Sequence, residues 1–213
     1  MALLLEAYQY LLENQSDFWH AVNTHLLLSF LALGIGVVIC VPLGIYLAKT
    51  NRGSMVILNA VNIGRIIPSL AVLALAMPYI GVGFGPSLLA LSLLVCPPIL
   101  INTVTAFREL DKSVIEAAYG MGMDHRRVLR TVEIPLALPV IITGIKTAAV
   151  EVIASAALAA FIGGGGLGEY ILNGIALAQT SLLLVGAIPI AILALLAEVI
   201  FGGIEKWTTP PLV

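Results

Sequence analysis

Five stretches of this chain are long and apolar enough to cross a bilayer. A spanning helix needs roughly 20 mainly apolar residues, because about 30 Å of hydrocarbon is crossed at about 1.5 Å per residue. Residues 26–48, 55–80, 87–107, 136–162 and 182–204 all meet that length. Within them the apolar residues run all round instead of along one stripe, the pattern of a helix in lipid or packed among its own kind. Small residues recur at close spacing, as at Gly34 and Gly36 and through Ala154, Ser155, Ala156 and Ala157, and allow close helix approach. Internal prolines at Pro42, Pro68, Pro97, Pro98, Pro139 and Pro189 predict kinked helices. The expected fold is all-α and integral to the membrane, with about five transmembrane helices in a single domain over residues 1–213.

Composition excludes the main alternatives. Only 10% of the residues are charged and 60% are hydrophobic, with a mean hydropathy of +1.08, whereas a soluble domain carries about 25% charged residues. A soluble enzyme of ordinary composition is therefore ruled out. A net charge of -2 leaves no footprint for nucleic acid. Cys40 and Cys96 both lie in apolar runs, which excludes a disulfide framework and a CxxC metal knuckle. The stretch from Met1 to Glu13 has no basic start and no small-residue cleavage site, so no removed signal peptide is expected.

The basic residues orient the spans. Lys49, Arg52, Arg108, Lys112, Arg126, Arg127, Arg130 and Lys206 fall on one side, while residues 1–25, 81–86 and 163–181 on the other side contain no Lys or Arg. By the positive-inside rule the N-terminus is expected outside and the C-terminus in the cytoplasm. Residues 1–25 and 163–181 are then external and 108–135 cytoplasmic. The first residues, with Leu4, Tyr8, Leu11 and Leu12 apolar and Glu6, Gln9 and Glu13 polar, have helical spacing. They are expected either along the outer membrane surface or folded against the bundle. No internal repeat is visible, which argues against an inverted-repeat transporter.

The longest non-apolar stretch, 108–135, reads locally as two short helices. Ser113 with Glu116 forms a capping-box pattern. Gly120 and Gly122 break the first helix, Asp124 suits the N-cap of the second, and Pro135 is expected to stop it. Such a pair is either a docking surface for a soluble partner or a connecting loop whose arginines meet lipid head groups.

Here the residues resemble a known family. Glu116-Ala117-Ala118, Gly122, and Val132-x-Ile134-Pro135 match the EAA loop of ABC-importer permeases, EAA-x3-G-x9-I-x-L-P, with Val and Ile in place of Ile and Leu. The resemblance implies a type I importer permease fold like that of the methionine permeases, in a subunit that does not itself hydrolyse ATP. In the family this loop seats in a groove of a separate ATP-binding subunit. Glu116, Ala117, Ala118 and Gly122 are the expected contact positions, with Asp124, Arg126, Arg127 and Pro135 completing the surface. Glu116 as a helix cap is the alternative. The resemblance further implies an extracytoplasmic binding protein, a second permease copy, and membrane lipid as partners in the cytoplasmic membrane of a bacterium or archaeon. ATP and magnesium belong to the partner subunit, and no cofactor or metal is expected in this chain. Consistent with that, no Gly-Lys dipeptide of a P-loop is present. The formal G-x-G-x-x-G at Gly163, Gly165 and Gly168 follows an apolar helix and not a strand, so it reads as a flexible or tightly packed turn.

Further stretches narrow the resemblance. His25-Leu26-Leu27-Leu28, Val41-Pro42-Leu43-Gly44-Ile45, Ile67-Pro68-Ser69-Leu70-Ala71, Leu158-Ala159-Ala160-Phe161-Ile162-Gly163 and Gly165-Gly166-Leu167-Gly168-Glu169 look like permeases for osmoprotectants such as glycine betaine, carnitine and choline. Methionine- and ergothioneine-type permeases share much of the layout and are the alternative. With 7% aromatics the chain is poorly equipped to build an aromatic cage for a trimethylammonium group, so selectivity is expected in the binding protein.

Charges inside the spans cost at least about 2.5 kcal/mol each on insertion scales and should face the bundle interior. Arg65, Lys146 and Glu151 are therefore expected to line or brace a central path near Ser69, or to form a structural ion pair. The same charges would serve as coupling residues in an ion-driven transporter, the rival class; a non-transporting anchor is a third. Asn62, Asn102, Thr103 and Ser155 are weaker path candidates, expected to bond a neighbouring helix. His20 and His25 read as interfacial, not metal-binding.

Overall fold

The computed structural model describes residues 2–50, 54–64 and 69–209. Among the described residues every regular element is helical. A short α1 (Ala2–Glu13) precedes the long α2 (Gln15–Lys49), followed by α3 (Ser54–Gly64), α4 (Ser69–Ile80) and α5 (Phe84–Arg108). Two small helices, α6 (Lys112–Gly120) and α7 (His125–Val128), lead through a π-helical stretch (Leu129–Glu133) into α8 (Ile134–Ser155). A 3-10 stretch (Ala156–Ile162), α9 (Gly168–Ala176) and α10 (Thr180–Thr208) complete the chain.

Among the described residues, four helical stretches are long and apolar enough to cross a membrane: Gln15–Lys49, Phe84–Arg108, His125–Ile162 and Thr180–Thr208. They correspond to four of the five expected spans. The remaining one, expected as a single helix over 55–80, is built as α3 and α4, of 11 and 12 residues. Neither alone reaches the roughly 20 residues a span needs. Residues 65–68, Arg65 among them, lie between these two helices and outside the described residues.

The core explains the arrangement. Leu28, Ala32, Cys40 and Leu47 of α2 meet Leu91, Val95, Ile99 and Val104 of α5, and Ala148, Ala149 and Val152 of α8 close the same cluster. Three glycines set the spacing. A Cβ at Gly36 or Gly44 of α2 would collide with Val95 or Thr103 of α5, and one at Gly144 of α8 with Asn102 and the Pro98 carbonyl. Where lipid is as apolar as leucine, such close packing drives association in place of water exclusion. So α5 lies between α2 and α8, and α10 packs on the other side of α8. The α3 and α4 segments touch this body lightly, leaving Val56, Ile63, Leu75 and Tyr79 exposed.

Of the two expectations for the first helix, the structure adopts the folded one. Ala7 of α1 is buried against α10, beside Val185. Tyr10 meets the Tyr170 ring of α9 edge-on, centroids 6.2 Å apart, and Phe18 of α2 touches the same ring at 6.3 Å.

Candidate functional site

The loop between α5 and α8 is ordered by its own caps. The carboxylate of Asp111 accepts from the Ser113 amide at 2.9 Å and starts α6 at Lys112. The cap is thus Asp111 and not the Ser113–Glu116 box expected from sequence: a carboxylate two residues upstream reaches the amide first, and Glu116 is left exposed. Ser113 hydrogen bonds hold the Asp111 carboxyl below its ordinary value.

The turn after α6 accounts for Gly122. Its amide donates to the Tyr119 carbonyl at 2.9 Å, and the Met123 amide donates to Ala118 at 3.3 Å. This double closure requires a left-handed residue just past the helix, and Gly122 has φ +81°. Asp124 then caps α7 as expected, accepting from the Arg127 amide at 2.7 Å. The Tyr119 hydroxyl lies 2.9 Å from Nδ1 of His125 and fastens the two short helices together. Glu116, Ala117, Tyr119, Met121, Gly122, Asp124, Arg126, Arg127 and Arg130 are all exposed, whereas Ala118, 1% exposed, faces the loop interior. The result is an outward face with small residues, two carboxylates and three guanidinium groups.

Pro135 does not stop the second helix. It sits in the first turn of α8, and the chain runs helical without interruption from His125 to Ile162, 38 residues. Proline lacks an amide proton and its ring clashes with the carbonyl four residues back. The π-helical stretch just before it widens the turn and lets the helix continue. The loop between α5 and α8 is therefore one end of a helical rod long and apolar enough to cross a membrane.

At the base of that rod lies a residue with no signal in the sequence. Glu133 is buried, its side chain 8% exposed, and pairs with Lys49 at the end of α2 at 2.6 Å. Glu133 falls between Val132 and Ile134, where the loop motif specifies nothing, and its partner is 84 residues away (133 − 49).

Of the charges expected inside the spans, Lys146 pairs across to α10. Lys146 pairs with Glu205 of α10 at 2.8 Å and with Glu198 at 3.5 Å, and the Thr143 hydroxyl donates to Glu205 at 2.7 Å. Lys146, Glu198 and Glu205 border a cavity of about 630 Å³, together with Gly202, Lys206 and Thr209. The sequence named Lys146 but neither glutamate. Glu151 is partly buried more than one turn further along α8 and is itself engaged. Arg65 and the Ser69 side chain lie outside the described residues. Asn102 and Thr103 bond carbonyls of their own helix, at Pro98 (2.8 Å) and Ile99 (2.7 Å), not a neighbour.

At the opposite end of the rod the glycine run is a packed turn. Gly163, Gly165 and Gly166 all have positive φ, and a Cβ at Gly168 would collide with the Ala157 backbone. His25, expected at the interface, is instead fully buried beneath this turn. Its Nε2 donates to the Ile153 carbonyl at 3.0 Å, close to where α8 tightens into the 3-10 stretch. The main-chain carbonyl satisfies one ring nitrogen, while Nδ1 is buried without a hydrogen-bond partner among the described residues.

Comparison with known proteins fits this geometry. Residues 40–210 match the family described as "Binding-protein-dependent transport system inner membrane component". The chain is 39% identical to the glycine betaine/carnitine/choline transport system permease protein OpuCB of Bacillus subtilis, over 94% of this chain and 93% of that one. It is 40% identical to the choline transport system permease protein OpuBB of the same organism, over 95% and 93%. Identity to the carnitine transport permease protein OpuCB of Listeria monocytogenes is 42%, over 87% and 85%. Among solved structures, a chain of the inward-facing MetNI methionine ABC transporter superposes with a TM-score of 0.77 at 23% identity, covering 92% of this chain and 98% of that one. The fold is thus that of an ABC importer permease, as the loop motif implied. Matched by one family over most of its length, and by relatives almost end to end, this chain belongs to the inner-membrane components of binding-protein-dependent transport systems.

Proposed function

We propose that this protein is the permease subunit of an ATP-driven importer for osmoprotectants such as glycine betaine, choline or carnitine. The observation that carries the mechanism is the capped, outward-facing loop standing on an unbroken 38-residue helix. A separate ATP-binding subunit grips that loop through Glu116, Ala117, Gly122, Asp124, Arg126 and Arg127, and its ATP-driven closure rocks the rod. The basic bias of the sequence supports an external N-terminus and a cytoplasmic C-terminus, with residues 108–135 on the cytoplasmic side and 163–181 facing a solute-delivering binding protein. The exposed apolar face of α3 and α4 suits a second permease copy. Near-end-to-end similarity to permeases named for these solutes supports the substrate class. Lys146, Glu151, Arg65 and Ser69 are the path candidates this reading retains.

The test is reconstitution of the permease with its ATP-binding subunit and binding protein in proteoliposomes, with labelled glycine betaine, choline, carnitine and methionine in parallel. ATP-dependent uptake of one of the first three, abolished when the ATP-binding subunit is omitted, is expected. Uptake of methionine alone transfers the protein to the methionine class, and uptake without the ATP-binding subunit refutes ATP coupling.

A further inference from the structure

The π-to-3-10 rod is tied to α2 twice. At one end Lys49 pairs with Glu133, the last residue of the π-helical stretch, at 2.6 Å. At the other, His25 Nε2 bonds the carbonyl of Ile153, three residues before the 3-10 stretch, at 3.0 Å. The two ties run in opposite chain directions, so the helices are antiparallel. They are 24 residues apart on α2 (49 − 25) and 20 apart on α8 (153 − 133). At about 1.5 Å per residue that is about 36 and 30 Å, close to the hydrocarbon thickness. Each tie thus lies near a membrane boundary and at a point where the rod departs from regular α geometry. Such irregular turns are where a helix bends.

Resting on the reading above, we infer that α2 and α8 move as one lever, with Lys49, Glu133 and His25 as positioning residues that carry loop motion to the outer glycine turn. Without the ties, displacement of the loop would be absorbed by bending at the π-helical stretch. With Glu133 held by Lys49, the bend also moves α2. At the far end His25 supports the glycine turn: a Cβ at Gly166 would lie 3.3 Å from its Cα, Cβ and Nδ1. The turn must therefore follow α2. Glu133 is 6% exposed, so removing its cation strands a buried carboxylate and releases the base of the rod.

The experiment measures solute moved per ATP hydrolysed, with glycine betaine, choline and carnitine as probes, in the reconstituted complex. Glu133→Gln and Lys49→Met are expected to lower that ratio about three- to thirtyfold, the usual range for coupling residues, while ATP hydrolysis and assembly persist. The charge reversal Lys49→Glu with Glu133→Lys is expected to recover it, whereas His25→Gln is expected to keep the wild-type ratio and His25→Leu to lower it. A second arm tethers Lys49→Cys to Glu133→Cys with a flexible bismaleimide, in a chain whose Cys40 and Cys96 are replaced by alanine. A tie that stays closed through the cycle predicts continued transport after tethering. Arrest by the tether, or a normal ratio in Glu133→Gln, overturns the lever. Should Glu133→Gln fail to assemble, the tether and His25→Leu decide. A wild-type complex that moves none of the three probes refutes the osmoprotectant reading and not the ties.

Discussion

Gly44 and Gly34 sit on the same helix and make opposite predictions when changed to alanine. At Gly44 an added Cβ would lie 2.7 Å from both Cβ and Cγ2 of Thr103, whereas ordinary carbon contacts are about 3.5–4.0 Å. Thr103 is β-branched, 0% exposed, and fixed by its hydroxyl on the Ile99 carbonyl at 2.7 Å, so it has no room to turn away. The two helices must separate by about 1 Å, an overpacking cost of about 1–3 kcal/mol. At Gly34 nothing lies within 4 Å of the added atom, and replacing a helix-interior glycine gains about 0.5–1 kcal/mol in backbone entropy. For a chain of this size each kcal/mol moves the unfolding midpoint by about 2–4 °C. Thermal unfolding of the detergent-purified protein should therefore drop for Gly44→Ala and hold or rise for Gly34→Ala. Equal losses at both positions would show that α2 is not held against α5 by close approach, and the account of the core would be wrong.

Gly122→Ala meets no steric obstacle but forces a side chain into left-handed geometry, at about 1–2 kcal/mol; hydrogen exchange in α6 should speed up, with the transmembrane helices unaffected. The Asp111 cap has a depressed carboxyl pKa, so its stabilisation is complete above the unfolded value of about 3.9 and fades as pH falls through the lower folded value. Exchange at the start of α6 should be protected down to about pH 4 and lose protection only below it, and in Asp111→Asn that acid step should vanish. Pro135→Ala removes the clash that the π-helical stretch relieves; reversion to α geometry would turn the loop by about 100°, one residue's rotation, and cross-linking of Arg126→Cys to the ATP-binding subunit should shift to different partner positions. A double-mutant cycle on Lys146→Met and Glu205→Gln should give up to about 1 kcal/mol, because both side chains are 20–28% exposed and partly screened.

The spans and the loop were legible because length and local chemistry specify them. Runs near 20 apolar residues, Asp124 before a helix and Gly122 after one need no knowledge of distant partners. The pairings were not. Glu133 with Lys49, Lys146 with Glu205 and His25 with Ile153 each join two helices, and which residues meet depends on how each helix is rotated about its axis. A helix apolar on every side carries no signal of that rotation, so nothing in the sequence singled out Glu205 as the partner of Lys146. The Ser113 box failed for a smaller reason: two acceptors compete for the same first-turn amides, and Asp111, placed ahead of the turn, takes them. Pro135 misled because a stop and a π-widened passage begin from the same missing amide.

The docking of α1 on α10 also constrains how the molecule is made. Residues 2–13 are synthesised well before the surface that buries Ala7, which belongs to α10. Until α10 inserts, that leading segment has no seat, and its leucines stay available to chaperones or proteases. Completion of the bundle is thereby registered at its opposite end: a chain interrupted before residue 180 would carry a visible mark of being unfinished.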